Sequence, residues 1–71
     1  MKAEKIIKVL EQFGFQRIRR KGSHVILKHP DGRLTVVPVH KGEEIGRGLL
    51  RRIIREAKLD REEFLITAEK V

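Results

Sequence analysis

Apolar residues recur at helical spacing near both ends of the chain. The first set is Ile6, Val9, Leu10 and Phe13. The second set is Leu50, Ile53, Ile54 and Ala57. Both have the i, i+3, i+4, i+7 spacing of an amphipathic helix, which predicts one helix from Ala3 to Phe13, ended by Gly14, and a second over residues 49–57.

Three short segments between these helices predict the strands of a sheet. They are FQRIRRKG at 15–22, SHVILKH at 23–29 and RLTVVPV at 33–39, separated by a break at Lys21-Gly22 and by the turn HPDG at 29–32. Asp60 with Glu63 resembles a capping box that opens a short turn or helix, DREEFL, at 60–65. We therefore expect an α+β fold of order α-β-β-β-α, with a three-stranded antiparallel sheet, the helices packed on one face, and a short C-terminal helix or turn.

The chain is short and strongly basic. Its 71 residues predict a single domain over residues 1–71, and the absence of Cys excludes a disulfide framework or a thiolate zinc site. The apolar runs are too short for a membrane span and the N-terminal residues carry charges throughout, so a cytoplasmic protein is expected. Seventeen Lys and Arg against ten Asp and Glu give a net charge of +7, which favours a polyanionic partner.

The distribution of these charges favours a phosphate-binding surface. No carboxylate occurs from Phe15 to Pro30. The acidic residues of the second half are Glu43, Glu44, Glu56, Asp60, Glu62 and Glu63. The ion-pair networks of a thermostable surface would interleave the two signs, so this separation points instead to a face that binds phosphates.

Strand alternation places His24 on the sheet face that the helices leave open. The turn holds either the four residues at 29–32 or Asp31-Gly32 alone, and both alternatives give the same two faces. The covered face is expected to carry Val25, Leu27, Leu34 and Val36. The open face is expected to carry His24, Ile26, Lys28, Arg33, Thr35 and Val37. Water or a ligand would meet the second set.

His24 is the candidate catalytic residue. An imidazole titrates near neutral pH, so it can remove the proton of a ribose 2′-hydroxyl and return a proton in the next step, while cations stabilise the charge that develops on the phosphate. The candidate RNA-binding residues are Arg19, Arg20, Lys21, Gly22, Ser23, Lys28 and Arg33. Spacing alone leaves a plain surface histidine beside a basic turn as the alternative.

Other candidate sites have weaker support. The parity of the third strand points His40 away from His24, unless Pro38 ends the strand earlier. The three histidines lack the close spacing of zinc ligands, so we expect metal-independent chemistry without a cofactor. Arg47, Arg51 and Arg55 form a stripe on the second helix that either contacts phosphates or is simply solvated. The three Phe residues all have core positions, which disfavours base stacking.

Several of these segments together resemble the HicA family of small RNA-cleaving toxins over most of the chain. The matching marks are a Gly-Phe after the first helix, a Gly-Ser-His that opens the second strand, VPVH at the end of the third, and GEEIGRGLLRRIIREAKL leading into the second helix. The resemblance implies a fold related to double-stranded RNA-binding domains. It also implies the toxin of a type II toxin-antitoxin system, an mRNA endoribonuclease with His24 as its catalytic residue and a HicB-like antitoxin protein as its partner.

Two positions depart from the family pattern. Many relatives carry a second histidine where this chain has Val25, and a threonine where it has Leu49. Val25 is predicted to point inward, so the general base His24 would remain. A nuclease with reduced or altered activity is the alternative. The functions in competition are the endoribonuclease, a noncatalytic RNA-binding module of the same fold, and an adaptor whose basic face meets an acidic protein. None involves a membrane or a small-molecule cofactor.

Overall fold

The computed structural model describes residues 1–71 as three helices and a three-stranded antiparallel sheet. The elements in chain order are α1 (Ala3–Gln12), β1 (Gln16–Lys21), β2 (His24–Lys28), β3 (Leu34–Pro38), α2 (Arg47–Glu56) and α3 (Arg61–Lys70). The strands are neighbours in the order β1-β2-β3, which confirms the α+β class and the predicted order of elements. None of the helices combines the length and the apolar character that crossing a membrane requires.

The end of α1 is fixed at Gly14, where the backbone enters the left-handed region. Gly14 has φ +95°, and the amide of Phe15 donates a hydrogen bond of 3.1 Å to the carbonyl oxygen of Leu10. A Cβ atom at Gly14 would also lie 2.9 Å from Nε2 of His29. The glycine that stops the helix therefore also makes room for the imidazole that follows β2.

β1 and β2 form a tight hairpin around Gly22 and Ser23. Lys21 pairs with His24 across this two-residue turn, and Gly22 supplies the positive φ, +60°, that such turns require. The break therefore lies one residue later than the predicted Lys21-Gly22.

The pairing of β2 with β3 is displaced by one residue from the predicted alternatives. Lys28 pairs with Leu34, and the amide of His29 donates to the carbonyl oxygen of Arg33 at 2.8 Å, so the loop between them holds three residues. Both predicted turns held an even number. The last of the three loop residues, Gly32, has φ +100°, as in three-residue hairpin loops that end on a left-handed residue. An odd loop reverses the parity of the following strand.

In this register, each side chain of β3 lies on the opposite face of the sheet from the one predicted. Thr35 and Val37 are 1% and 0% exposed, whereas Leu34 is 50% exposed. The prediction that Thr35 and Val37 lie on the open face is therefore wrong. The predicted faces of β2 are confirmed, because Val25 and Leu27 are buried in the core.

The third helix is longer than the short turn or helix predicted over 60–65. It runs over Arg61–Lys70, and Oδ2 of Asp60 accepts a hydrogen bond of 3.0 Å from the amide of Glu63, so Asp60 caps the helix as predicted. Phe64 and Ala68, one turn apart, are both buried. This second apolar contact explains why the helix continues through a tail whose composition alone gave no signal.

Candidate RNA-binding face and catalytic cleft

The sheet face opposite the core carries His24 among unpaired cations. Cross-strand pairing places on it Gln16, Arg19, Lys21, His24, Ile26, Lys28, Leu34, Val36 and Pro38. Arg19, Lys21 and Lys28 are exposed, and none of them takes part in an ion pair. Cations without a carboxylate partner remain available to an external anion such as a phosphate.

His24 stands at the start of β2 and lines a small cleft. The residues that line this cleft are His24, Val36, Pro38, Leu49, Arg52 and Glu56. The volume of the cleft is about 210 Å³. The imidazole is exposed and has no hydrogen bond to the protein.

The opposite wall of the cleft comes from α2, through Arg52 and Glu56. Nε of Arg52 donates to Oε2 of Glu56 at 3.2 Å, and Oε1 of Glu56 accepts a hydrogen bond of 3.1 Å from Oγ1 of Thr35. Glu56 thereby holds the Nε edge of the Arg52 guanidinium. The two terminal nitrogens of Arg52 have no protein partner. A guanidinium presented in this way can bind two oxygens of one phosphate.

Sequence reasoning missed Arg52 and Glu56. Their only signal is the spacing of residues 49, 52 and 56, which lie on one flank of α2. That spacing identifies a site only when α2 is known to lie beside β3, and the sequence does not specify this packing.

Arg33 lies on the side of the sheet opposite His24. Its Nε donates to Oδ2 of Asp31 at 2.9 Å, its Nη1 donates to the carbonyl oxygen of Ala57 at 2.6 Å, and its guanidinium lies 5.3 Å from the ring centroid of Phe15. The predicted position of Arg33 on the open face is wrong, because odd residues of β3 face the core. Here Arg33 ties the β2–β3 loop to the end of α2.

The turn before His24 is held against the end of β3. The amide of Val39 donates to the carbonyl oxygen of Ser23 at 2.6 Å. Arg20 pairs with Val25, so its side chain leaves the sheet on the side of the helices, and its Nε donates to the carbonyl oxygen of Gly22 at 3.0 Å. Of the two basic residues before the turn, Lys21 lies beside the imidazole and Arg20 does not.

Neither of the other histidines joins His24. Nδ1 of His29, past the far end of β2, accepts a hydrogen bond of 3.1 Å from the amide of Asp31. His40 lines a separate pocket with Lys2 and Arg20. The parity argument against His40 was wrong, since even residues of β3 share the face of His24, but β3 ends at Pro38, before His40 is reached.

The two departures from the family pattern occupy different environments. Val25 is 4% exposed, which confirms that it points into the core. Leu49 is half-buried and contributes an aliphatic side chain to the wall of the cleft. Of the two departures, only the one at Leu49 lies beside the imidazole. The structure contains no group of three or more His, Asp or Glu that could hold a metal ion.

Comparison with known proteins identifies a family that this chain matches. The model of a family described as the HicA toxin of bacterial toxin-antitoxin matches residues 3–59, well over half of the chain. The matched range contains α1, the whole sheet and α2, and therefore every residue that lines the cleft. No curated protein matches the sequence.

Proposed function

The chain belongs to the HicA toxin family, and on that premise we propose that it is a metal-independent endoribonuclease that cleaves mRNA with His24 as general base. One observation carries this proposal: the exposed imidazole of His24 shares a cleft with Arg52 of α2, and the cations on its own sheet face, Arg19, Lys21 and Lys28, are in no ion pair. An uncovered imidazole beside a phosphate-binding group is what transfer of the 2′-hydroxyl proton requires.

In the proposed reaction, His24 removes the proton of a ribose 2′-hydroxyl as the 2′-oxygen attacks the adjacent phosphorus. The bond from phosphorus to the 5′-oxygen of the next nucleotide breaks, and that oxygen receives a proton from the imidazolium. The products are a 2′,3′-cyclic phosphate and a free 5′-hydroxyl. Arg52 would bind the non-bridging phosphate oxygens, whose negative charge increases in the transition state, and Glu56 would keep its guanidinium in place.

Beyond the cleft, the RNA backbone would follow the open sheet face. Arg19, Lys21 and Lys28 would neutralise phosphates, and each contact would release counterions. The side chains between them, such as Ile26 and Val36, are aliphatic, so the bases have no aromatic platform on which to stack. Recognition would therefore rest on the backbone more than on base identity.

A HicB-like antitoxin is the protein partner in this proposal. The family is one of toxins that are paired with antitoxins. A partner that covers His24 would have to be acidic to complement a chain of net charge +7, and the same field would speed its encounter with the toxin.

The test is cleavage of a long mRNA in excess EDTA by the wild-type chain and by His24→Ala. We expect the variant to lose at least about 100-fold in cleavage rate, the usual contribution of a general base, while it binds RNA as tightly as the wild type. Arg52→Ala should lose about tenfold, because a charge-assisted hydrogen bond is removed. Arg55→Ala, on the same helix but outside the cleft, is the matched control.

Each other result would contradict one part of the proposal. Cleavage by wild type that stops in EDTA would reject the metal-independent mechanism. RNA binding without cleavage by either protein would favour the noncatalytic RNA-binding module, and cleavage by both would remove His24 from the mechanism.

A further inference from the structure

A groove between α2 and α3 has no part in the proposed cleavage. Its lining residues are Arg47, Leu50, Arg51, Ile54, Arg61 and Leu65, and its volume is about 320 Å³. The sequence had already set apart the stripe of arginines on α2, and two of its three members, Arg47 and Arg51, line this groove.

The groove and the cleft lie on opposite flanks of α2. Residues 49, 52 and 56 line the cleft, whereas residues 47, 50, 51 and 54 line the groove. With 3.6 residues per turn, the mean directions of these two sets differ by roughly 180° around the helix axis. A ligand in the groove therefore need not touch His24.

The floor of the groove is apolar and its rim is cationic. Ile54 is 6% exposed and Leu65 is 38% exposed. Around them, Arg47, Arg51 and Arg61 are exposed and take part in no ion pair. The surface thus combines accessible aliphatic area with three cations that have no carboxylate partner.

The positions of these arginines are unfavourable for α2 itself. Arg47 is the first residue of the helix, where the macrodipole disfavours a cation, and the first turn contains no acidic residue. Arg51 lies four residues further on, so the two like charges repel along one flank. Helix stability does not explain this arrangement, and an anionic ligand does.

We propose that this groove binds an acidic amphipathic helix of the antitoxin partner. The apolar side chains of that helix would cover Leu50 and Leu65, and its carboxylates would pair with the rim arginines, the helix-in-groove mode of recognition. α2 and α3 have ten residues each, about 15 Å, so the groove accommodates two to three turns of a partner helix.

The chemistry of the groove favours this occupant over two others. RNA would pair with the arginines but would leave the aliphatic floor uncovered, and no aromatic side chain is present to stack a base. A second copy of this chain would bring a net charge of +7 to an already cationic rim. The inference rests on the toxin-antitoxin pairing and is independent of whether His24 is a base.

The experiment measures the Kd between the full chain and a purified HicB-like antitoxin. We expect Arg51→Glu and Arg61→Glu each to raise the Kd about tenfold or more, as buried or partly buried interface arginines do. Arg55→Glu makes the same charge change on the exposed part of α2 outside the groove and should raise it by less than about threefold. Circular dichroism confirms that each variant is folded, and RNA cleavage should be unchanged in the groove variants.

Five outcomes would overturn the inference, the last two of which separate the groove from the partner. An equal Kd for Arg51→Glu and Arg55→Glu would show that only net charge matters. Loss of RNA binding in the groove variants would assign the groove to RNA, and a wild-type dimer that Arg51→Glu dissociates in sedimentation would assign it to a second copy. If the wild-type chain forms no complex with the antitoxin, both the proposed partner and the proposed binding site in the groove are rejected. If a complex forms and the groove variants do not affect it, only the binding site in the groove is rejected.

Discussion

The two histidines at the ends of β2 have opposite surroundings. Nδ1 of His29 accepts a hydrogen bond from the amide of Asp31, and its ring meets that of Phe15 edge-on, with centroids 5.3 Å apart. His24 begins the same strand, is exposed, and lines a cleft together with Arg52. One ring is held by the fold, and the other has both nitrogens free for proton transfer.

Residue type and local sequence do not distinguish these two positions. Both histidines lie next to a turn in the same basic stretch of the chain. The difference comes from what the rest of the chain places against each ring: Gly14 and Phe15 pack on His29, whereas His24 is exposed. The tertiary packing therefore makes one histidine structural and leaves the other available for chemistry.

The contact between Gly14 and His29 gives the largest expected change in stability. Gly14→Ala should lower the free energy of unfolding by about 2 kcal/mol or more, because a Cβ is strained at φ +95° and would lie 2.9 Å from Nε2 of His29. Gly32→Ala is the matched control, since Gly32 has φ +100° and no atom within 4 Å of its Cβ position. Urea denaturation gives both values.

A double-mutant cycle isolates the steric part of that cost. In a His29→Ala background, Gly14→Ala should cost about 0.5–1 kcal/mol less than in the wild type, because only the backbone strain remains. Equal costs in the two backgrounds would mean that the imidazole moves aside freely and is not fixed by the fold.

Replacing each histidine by alanine gives a smaller change in stability but separates the two roles directly. His29→Ala should destabilise the protein by about 1 kcal/mol through the lost ring contact and hydrogen bond, a decrease in Tm of roughly 4–8 °C, with cleavage by the folded fraction unchanged. His24→Ala should stay within about 0.5 kcal/mol of wild type. Thermal denaturation and RNA cleavage on the same samples provide both readouts, and a cleavage defect in folded His29→Ala would contradict the division of roles.

The sequence predicted the elements and the face of His24 for a definite physical reason. Val25 and Leu27 are odd-numbered residues of β2, so their side chains lie on the face opposite that of His24. Because both are buried, the imidazole points away from the core, independently of the register of β3. The helices followed from their apolar spacing in the same way. The helix α2 begins at Arg47, two residues before its predicted start. The helix α3 runs well past the predicted 60–65, because Ala68 is a weak signal on its own.

The faces of β3 and the second half of the cleft were beyond sequence reasoning. The turn HPDG is compatible with loops of two, three or four residues, and the loop size sets which residues of β3 face the core. The three-residue loop removed Arg33 from the open face. Arg52 and Glu56 join His24 only because α2 lies beside β3, a packing choice that no local pattern records.

The smallest predicted effect concerns the carboxylate next to His29. A side-chain hydrogen bond from Arg33, then one from its amide, lower the pKa of Asp31 to about 2. A folded-state pKa below the ordinary carboxyl value means that the stabilisation is fully present above about pH 4 and is lost as the pH falls toward 2. Asp31→Asn should therefore lower the Tm slightly at pH 6 and by less at pH 2.5.

Salt sharpens this test, because Asp31 is exposed and its charge interactions are screened. The difference in Tm at pH 6 should shrink in 1 M NaCl, whereas Glu43→Gln, at an exposed carboxylate outside the helices and without an ion pair, should match wild type throughout. A pH-independent loss in Asp31→Asn would mean that the loop geometry, rather than the charge on Asp31, holds His29. In that case the difference between His29 and His24 would arise only from the packing of the His29 ring against Gly14 and Phe15.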